Sequence, residues 1–166
     1  AVWVEDWTPF ENLTLHQVPA PAINDRQVRI KTQAAGVSFA TSLVVEGKYQ
    51  RKPPRPFAPG TEIAGIVTEV GSGVTRFQPG DRVCAVLDWG GLADEAAAFE
   101  VNTYKIPDGM PFPVAISFTN SYGTSAAAFT WPHLLQVKQG DWVLVHGAAG
   151  GVGLAAVEIG KILGAT

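Results

Sequence analysis

The chain has 166 residues, a formal net charge of -3 and 46% hydrophobic residues. This length suits one domain, or one domain and part of another, and the apolar share is enough for a packed core. The mild acidity argues against nucleic acid as a partner, because nucleic-acid sites need basic patches. A single cysteine, Cys84, excludes an intramolecular disulfide and any multi-cysteine zinc site.

Apolar runs are short and broken by charged residues, so no stretch predicts a transmembrane span or a signal peptide. We therefore expect a cytoplasmic protein without a membrane partner. Glycine and proline are frequent, with 18 and 12 copies, but they are scattered between apolar segments. That distribution favours turns in a β-rich fold over disorder.

The first two thirds of the chain predict short strands separated by turns, which is typical of a small barrel or sandwich. The predicted strands are Ala1–Glu5, Leu13–Val18, Val28–Thr32, Glu62–Val70, Arg82–Leu87 and Val101–Ile106. Two less regular segments interrupt them. Ala34–Glu46 predicts a loop that leads into a helical turn, and residues 88–106 begin as a turn and pass into a strand or short helix.

A proline-rich segment, Gly47–Thr61, carries the basic residues Lys48, Arg51, Lys52 and Arg55. Proline has no N–H to donate to a sheet, so the segment predicts an exposed or ligand-facing loop. The four cations have two interpretations: they form a solvated loop, or they contact an anionic part of a cofactor.

The pattern becomes helix-prone from Pro113 onwards, around Tyr122–Thr124. We place a domain boundary here, so that residues 1–118 form one domain and residues 119–166 begin another. Further along, Val143–Val145 is continuously apolar, which predicts a buried strand covered on both faces, as in a parallel sheet.

A glycine turn and a helix follow that predicted strand. The helix is expected to run to Leu163, with Gly164 as its C-terminal cap. Its apolar residues fall at steps of three and four, on one face: Val152, Ala155, Ala156, Ile159, Ile162 and Leu163.

The turn reads Ala148-x-Gly150-x-x-Gly153, to be compared with the dinucleotide-binding pattern G-x-G-x-x-G. In that pattern Gly150 lets the backbone approach a pyrophosphate, and Gly153 lets the helix pack closely on the strand. We expect cofactor contacts from the residues of the turn: Ala148, Ala149, Gly150, Gly151, Val152 and Gly153. The alternative is a tight strand-to-helix turn that binds nothing.

Several motifs together resemble the medium-chain dehydrogenase/reductase superfamily, and within it the zinc-independent quinone oxidoreductase branch. The motifs are Val143–Leu154, Gly60–Val67 with Val70-Gly71 and Gly80–Val83, and Ala35–Phe39 with Gly47–Tyr49. The resemblance implies a β and α/β fold: a GroES-like β-barrel-type domain, followed by the first βα unit of a truncated Rossmann domain. It also implies an active site in the cleft between the two domains, and a homodimer when the protein is full length.

Zinc-dependent relatives carry Gly-His-Glu where this chain has Gly60-Thr61-Glu62, and a cysteine where it has Ser38. Hydroxyl groups are poor replacements for imidazole and thiolate as zinc ligands. The resemblance therefore implies a site without a metal. Such a site suits reduction of an acceptor that is already electrophilic, a quinone or an α,β-unsaturated carbonyl, by a nicotinamide cofactor.

The resemblance supplies three candidate site residues. It implies that Ser38 contacts the nicotinamide or the acceptor, that Tyr49 donates to the acceptor carbonyl, and that Thr124 lies close to the nicotinamide. Each has a structural alternative: Ser38 caps a loop, Tyr49 packs on Pro53 or Phe57, and Thr124 caps a helix. Thr41 stands where relatives often have Asp, which is a departure from the family pattern.

The expected cofactor is NADP, and NAD stays open because the residue that selects between them lies about 20 residues beyond the turn. An enoyl-thioester reductase and a non-enzymatic binding or structural protein are the alternative functions. Because one βα unit does not complete a parallel sheet, we expect these residues to belong to a longer protein and to have no turnover alone.

Overall fold

An antiparallel sheet of five strands forms the centre of the first of two units, Ala1–Ile116, in the computed structural model, which describes residues 1–166. The strands are β3 (Gln27–Ala35), β4 (Glu62–Val70), β5 (Arg82–Val86), β6 (Glu95–Phe99) and β7 (Thr103–Lys105), in the order β6-β3-β4-β5-β7. Two short strands, β1 (Val2–Trp3) and β2 (Thr14–Leu15), pair with each other. The register of β3 against β4 shifts twice, and such bulges add the twist that curls a sheet.

The inward side chains of this sheet make the main core, which confirms the predicted β-rich, barrel-type fold. Its buried members are Val28, Ile30, Ile63, Val67, Phe77, Val83, Ala85, Leu87, Ala96 and Ala98. A second cluster lies against helix α1 (Phe39–Val45) and contains Val4, Val44, Val45 and Phe57. β4 has the predicted bounds, whereas the predicted strand Leu13–Val18 shrinks to two residues because β1 offers it only two partners.

The second unit, Ser117–Thr166, is mainly helical. Its elements are a π-helical turn (Phe118–Tyr122) that follows helix α2 (Phe112–Ser117), helix α3 (Gly123–Thr130) and helix α4 (Gly151–Ile162). α4 ends as predicted: Gly164 has a φ of +79°, which is the left-handed conformation of a C-terminal glycine cap. None of the helices is both long enough and apolar enough to span a lipid bilayer.

The prediction of a buried strand at Val143–Val145 is wrong for this structure. The segment forms no strand, and the neighbouring side chains of Trp142 and Leu144 are 86% and 82% exposed. Its backbone partner is Thr166: the Val143 N–H donates to the Thr166 carbonyl at 2.9 Å, and the Thr166 N–H donates to the Asp141 carbonyl at 2.8 Å. A parallel strand needs a ladder and a cover on both faces, and one bonded residue supplies neither.

The predicted apolar stripe of α4 is correct in its centre and wrong at its ends. Ala155, Ala156 and Gly160 are buried. A Cβ added to Gly160 would lie 3.5 Å from the Phe129 ring. Val152 and Ile162 are exposed. The face that packs on α3 is therefore made of small residues, because helix axes approach closely only where side chains are short.

Candidate functional site

The glycine turn presents unbonded backbone N–H groups at the start of α4. Gly147 has a φ of +69°, and the Gly150 N–H donates to the Gly147 carbonyl at 3.0 Å, which closes the turn. The Leu154 N–H makes the first intrahelical bond, to the Gly150 carbonyl at 2.8 Å. The N–H groups of residues 151–153 precede that bond, so they are available to an anion at the positive end of the helix dipole.

Glycine is required at position 153 by the backbone opposite it. A Cβ on Gly153 would lie 2.3 Å from the Gly147 carbonyl oxygen and 2.8 Å from the Ala148 Cα. A Cβ on Gly150 would lie 3.5 Å from the same oxygen, an ordinary contact, so space inside the protein does not require glycine there. Ala148, Ala149 and Gly150 are exposed. The residues of the turn thus fit a pyrophosphate group.

The π-helical turn brings the Ser121 hydroxyl to the start of α4 and the Tyr122 hydroxyl to its later part, which the sequence patterns did not reveal. The Ser121 hydroxyl oxygen lies 2.7 Å from the place that a Cβ on Gly151 would take. The Tyr122 hydroxyl donates a hydrogen bond to the Glu158 carboxylate, and this bond raises the pKa of Tyr122 above its usual value. A π-helical turn leaves no periodic signal in the sequence, although such turns are frequent at functional sites.

Thr124 is exposed and lies inside a continuous helical run. The N-cap position of α3 is Tyr122, whose φ and ψ of −71° and −40° are themselves helical, so the alternative in which Thr124 caps a helix is wrong. Its hydroxyl donates only to the Asn120 side chain, at 3.5 Å. The hydroxyl is therefore weakly engaged and accessible to a ligand.

Ser38 occupies the N-cap of α1, where its N–H donates to the Thr41 hydroxyl at 3.3 Å. This contact is the return half of a capping box, with threonine at the position where glutamate is usual. Thr41 is buried, and its own N–H donates to the Ser38 carbonyl at 3.0 Å. The Ser38 hydroxyl lies 3.3 Å from the Thr41 hydroxyl, so a cap and a ligand contact are compatible at Ser38.

Tyr49 packs its half-buried ring on the cluster of Val4, Val44, Val45 and Phe57. Phe57 is one of the two partners that the packing alternative named. The ring is thus fixed by apolar contacts, and its hydroxyl makes no hydrogen bond within the chain. A phenol held in this way is an oriented donor for a bound carbonyl group.

The basic segment Gly47–Thr61 is largely neutralised by carboxylates. Lys48 pairs with Glu46 at 2.5 Å, Arg51 pairs with Asp88, and Arg55 pairs with Asp6 while it lies 4.8 Å above the Trp7 ring. Lys52 is exposed and makes no ion pair. Three of the four cations already have partners, which favours the interpretation as a solvated loop.

The residues present do not fit a zinc ion. Ser38 and Thr61 offer hydroxyl oxygens, and the only thiol, Cys84, is 3% exposed beside Ala64 and Ile106 in the interior. Burial raises the pKa of this thiol, whereas a zinc ligand must be a thiolate. No group of three or more His, Cys, Asp or Glu side chains is arranged to hold a metal.

Comparison with known proteins agrees with this geometry. The family profile described as alcohol dehydrogenase GroES-like domain matches residues 24–138. The quinone oxidoreductase of Rattus norvegicus is 39% identical over 148 residues, which cover 89% of this chain and 44% of the relative. The chain belongs to the medium-chain dehydrogenase/reductase superfamily, in its quinone oxidoreductase branch.

Solved structures of this superfamily superpose on nearly the whole chain. The quinone oxidoreductase of Thermus thermophilus, which was also solved in complex with NADPH, gives a TM-score of 0.81 at 30% identity, with 99% of this chain and 50% of that chain covered. The CurK enoyl reductase gives 0.83 at 28% identity, with 93% and 48% covered. The chain thus spans about half the length of these relatives.

Proposed function

We propose that the full-length protein transfers a hydride from NADPH to a quinone or an α,β-unsaturated carbonyl compound, without a zinc ion. The observation that carries the proposal is the glycine turn, where the Gly147 carbonyl excludes any side chain at position 153 and residues 151–153 offer free N–H groups. The relationship to quinone oxidoreductases, one of them solved with NADPH, supports it. NAD is the alternative cofactor.

The turn Ala148–Gly153 would hold the pyrophosphate through backbone N–H groups at the start of α4. When bound, NADPH supplies the hydride. Thr124 and Ser38 would orient the nicotinamide through their hydroxyl groups. Tyr49 would donate a hydrogen bond to the acceptor carbonyl, where negative charge develops as the hydride arrives.

A metal is unnecessary for this reaction, because the acceptor is already electrophilic. Oxidation of an alcohol needs a Lewis acid to stabilise the alkoxide, whereas a quinone accepts a hydride directly. The work of the protein is then to hold two planar partners at near-attack distance. The poor fit of Ser38, Thr61 and Cys84 to zinc agrees with this chemistry.

The domain organisation, the cellular location and the oligomeric state are also part of the proposal. Residues 1–118 are proposed as the GroES-like catalytic domain, and residues 119–166 as the start of a Rossmann nucleotide-binding domain. The cytoplasmic location and the homodimeric assembly stay predictions. Sedimentation of the full-length protein would test the dimer.

The decisive experiment is steady-state kinetics of the purified full-length protein with NADPH and with NADH, against a simple quinone and a simple enone. We expect NADPH oxidation that depends on the acceptor and that keeps its rate after dialysis against a chelator. Loss of activity on chelation, with recovery on adding zinc, would overturn the zinc-independent mechanism. No binding of either nicotinamide cofactor would overturn the function altogether.

A second candidate, an enoyl-thioester reductase, is favoured by the similarity to the CurK enoyl reductase. In such an enzyme the basic segment Gly47–Thr61 would hold the phosphates of the thioester carrier, but three of its four cations are paired within the chain. Comparison of kcat/KM for an enoyl thioester and for a free quinone decides between the two. A thioester preference of more than about tenfold, or 1.4 kcal/mol, would favour this candidate.

A further inference from the structure

A buried hydroxyl joins α3 to the first turn of α4. Ser125, in α3, is 2% exposed, and its hydroxyl donates to the Val152 carbonyl at 2.7 Å. Val152 is one of the residues whose N–H group is free at the start of α4. We propose that Ser125 is a positioning residue for cofactor binding, which sets where the phosphate-binding N–H groups of α4 lie. This inference rests on the proposed function.

Three contacts at four-residue spacing define how α4 lies on its neighbour. The Ser121 hydroxyl abuts Gly151, Ser125 bonds Val152, and the Phe129 ring lies against Gly160. Residues four apart share one helix face, so these contacts form a single line along the helical run. The first and last are steric contacts. Two directional bonds accompany them, from Ser125 to Val152 and from Tyr122 to Glu158. Only the Ser125 bond reaches the first turn of α4, so it is the one that fixes the position of that turn.

The bond is not needed to build the helix itself. In an α-helix the Val152 carbonyl already accepts the N–H of the residue four positions later, so α4 forms without Ser125. The added hydroxyl occupies the second lone pair of that carbonyl. Its effect is therefore on the placement of the first turn, and anion binding depends on that placement because N–H donors weaken steeply when misaligned.

The test is Ser125→Ala in the full-length protein, with Thr130→Ala as the matched control. The Thr130 hydroxyl also donates to a helix carbonyl at 2.7 Å, but its acceptor, Ala126, lies in α3 itself. We expect Ser125→Ala to raise the Kd for NADPH about three- to tenfold, the size of one lost hydrogen bond. The kcat at saturating NADPH should stay within about twofold, and Thr130→Ala should leave the Kd unchanged.

Competing ligands distinguish a misplaced first turn of α4 from a general destabilisation of the fold. The inhibition constant of ADP-ribose, which carries the pyrophosphate, should rise by the same factor as the Kd for NADPH. That of 2′-AMP, which lacks the pyrophosphate, should stay within about twofold. Ser125→Cys, which keeps the size of the side chain and a weak donor, is measured in the same way if Ser125→Ala fails to fold.

The possible outcomes test the positioning role of Ser125 separately from the proposed function. An unchanged Kd for NADPH in Ser125→Ala, an equal loss in Thr130→Ala, or an equal loss for 2′-AMP would overturn the positioning role and leave the proposed function standing. Failure of the unaltered protein to bind either NADPH or NADH would overturn the proposed function, and the positioning role with it.

Discussion

Gly153 lies so close to Gly147 that a single added carbon on its Cα would fall 2.3 Å from the Gly147 carbonyl oxygen. The two glycines face each other across the turn that precedes α4, and the carbonyl is held there because it accepts the Gly150 N–H. The turn is therefore closed by backbone on both sides.

Gly153→Ala should lower both stability and NADPH affinity. The new methyl group has only backbone atoms to displace, so the turn must open, and we expect a loss of about 1–3 kcal/mol in the free energy of unfolding. Thermal unfolding and NADPH titration of the full-length protein measure the two effects. Gly150→Ala is the matched control: it should weaken NADPH binding while the melting temperature stays within about 2 °C, since its Cβ meets ordinary contacts. Equal melting temperatures for the two variants would contradict the steric requirement for glycine at position 153.

Tyr49→Phe should separate the chemical role of this residue from its packing. The phenyl ring keeps its packing against the cluster of Val4, Val44, Val45 and Phe57, so stability should change by less than about 0.5 kcal/mol. Loss of the hydroxyl should lower kcat/KM for the quinone by about 100- to 1,000-fold, the usual cost of one donor at a developing oxyanion. Tyr49→Ala would in addition cost about 2 kcal/mol of stability. Full activity in Tyr49→Phe would show that the ring only packs.

Substitutions at Ser38 and Thr41 should separate a contribution to catalysis from a contribution to stability. Thr41→Ala removes the hydroxyl that accepts the Ser38 N–H, and we expect a loss of about 1 kcal/mol of stability, as for other helix caps. Ser38→Ala should lower kcat/KM by a larger factor than Thr41→Ala does, because its hydroxyl is the proposed cofactor contact. Urea unfolding and steady-state rates of both variants check this order. The reverse order in kcat/KM would reduce Ser38 to a capping residue.

The carboxylate of Asp81 should give the first unit a dependence on acid pH. Its pKa lies below the usual value because the Lys105 ammonium donates to it at 2.8 Å and the Gln78 N–H donates to it at 2.9 Å. A carboxyl whose folded pKa is lowered stabilises the fold above its unfolded pKa of about 3.9, and this contribution is lost as the pH falls through the folded value.

Asp81→Asn should therefore be less stable than the unaltered chain at pH 7, and the difference should narrow as the pH falls below the unfolded pKa of about 3.9. Urea unfolding across this pH range measures the difference. Arg29 provides the control pair, since its ion pair with Glu69 at 2.6 Å lies elsewhere on the sheet, and Glu69 is half exposed. Glu69→Gln should have a smaller effect. A constant gap between Asp81→Asn and the unaltered chain down to pH 3 would contradict this account.

Local patterns in the sequence predicted the elements whose stability is local. β4 was predicted to its ends because β-branched residues are bounded by Gly60 and by Gly71, and the end of α4 was predicted because Gly164 adopts a positive φ. The glycine turn was predicted for the same reason, since its constraint lies between residues six positions apart. These features need no information about distant parts of the chain.

Features that depend on distant partners were missed. Val143–Val145 has the composition of a buried strand, but composition does not say which strands pair with it. The contact of Ser121 with Gly151, and the bond of Ser125 to Val152, join residues 27–30 positions apart and follow no periodic pattern. The alternative at Ser38 was the cap of a loop, whereas the structure makes it the N-cap of α1, completed by the buried hydroxyl of Thr41.

Because Cys84 is buried, the reactivity of its thiol reports local unfolding of the chain. The thiol is the only one in the sequence, it is almost fully enclosed in the first unit, and its raised pKa keeps it protonated at neutral pH. A disulfide reagent can therefore react only when that unit opens. The rate of labelling at Cys84 would time the opening of the first unit around the cluster of Ala64, Ile106 and Ala115.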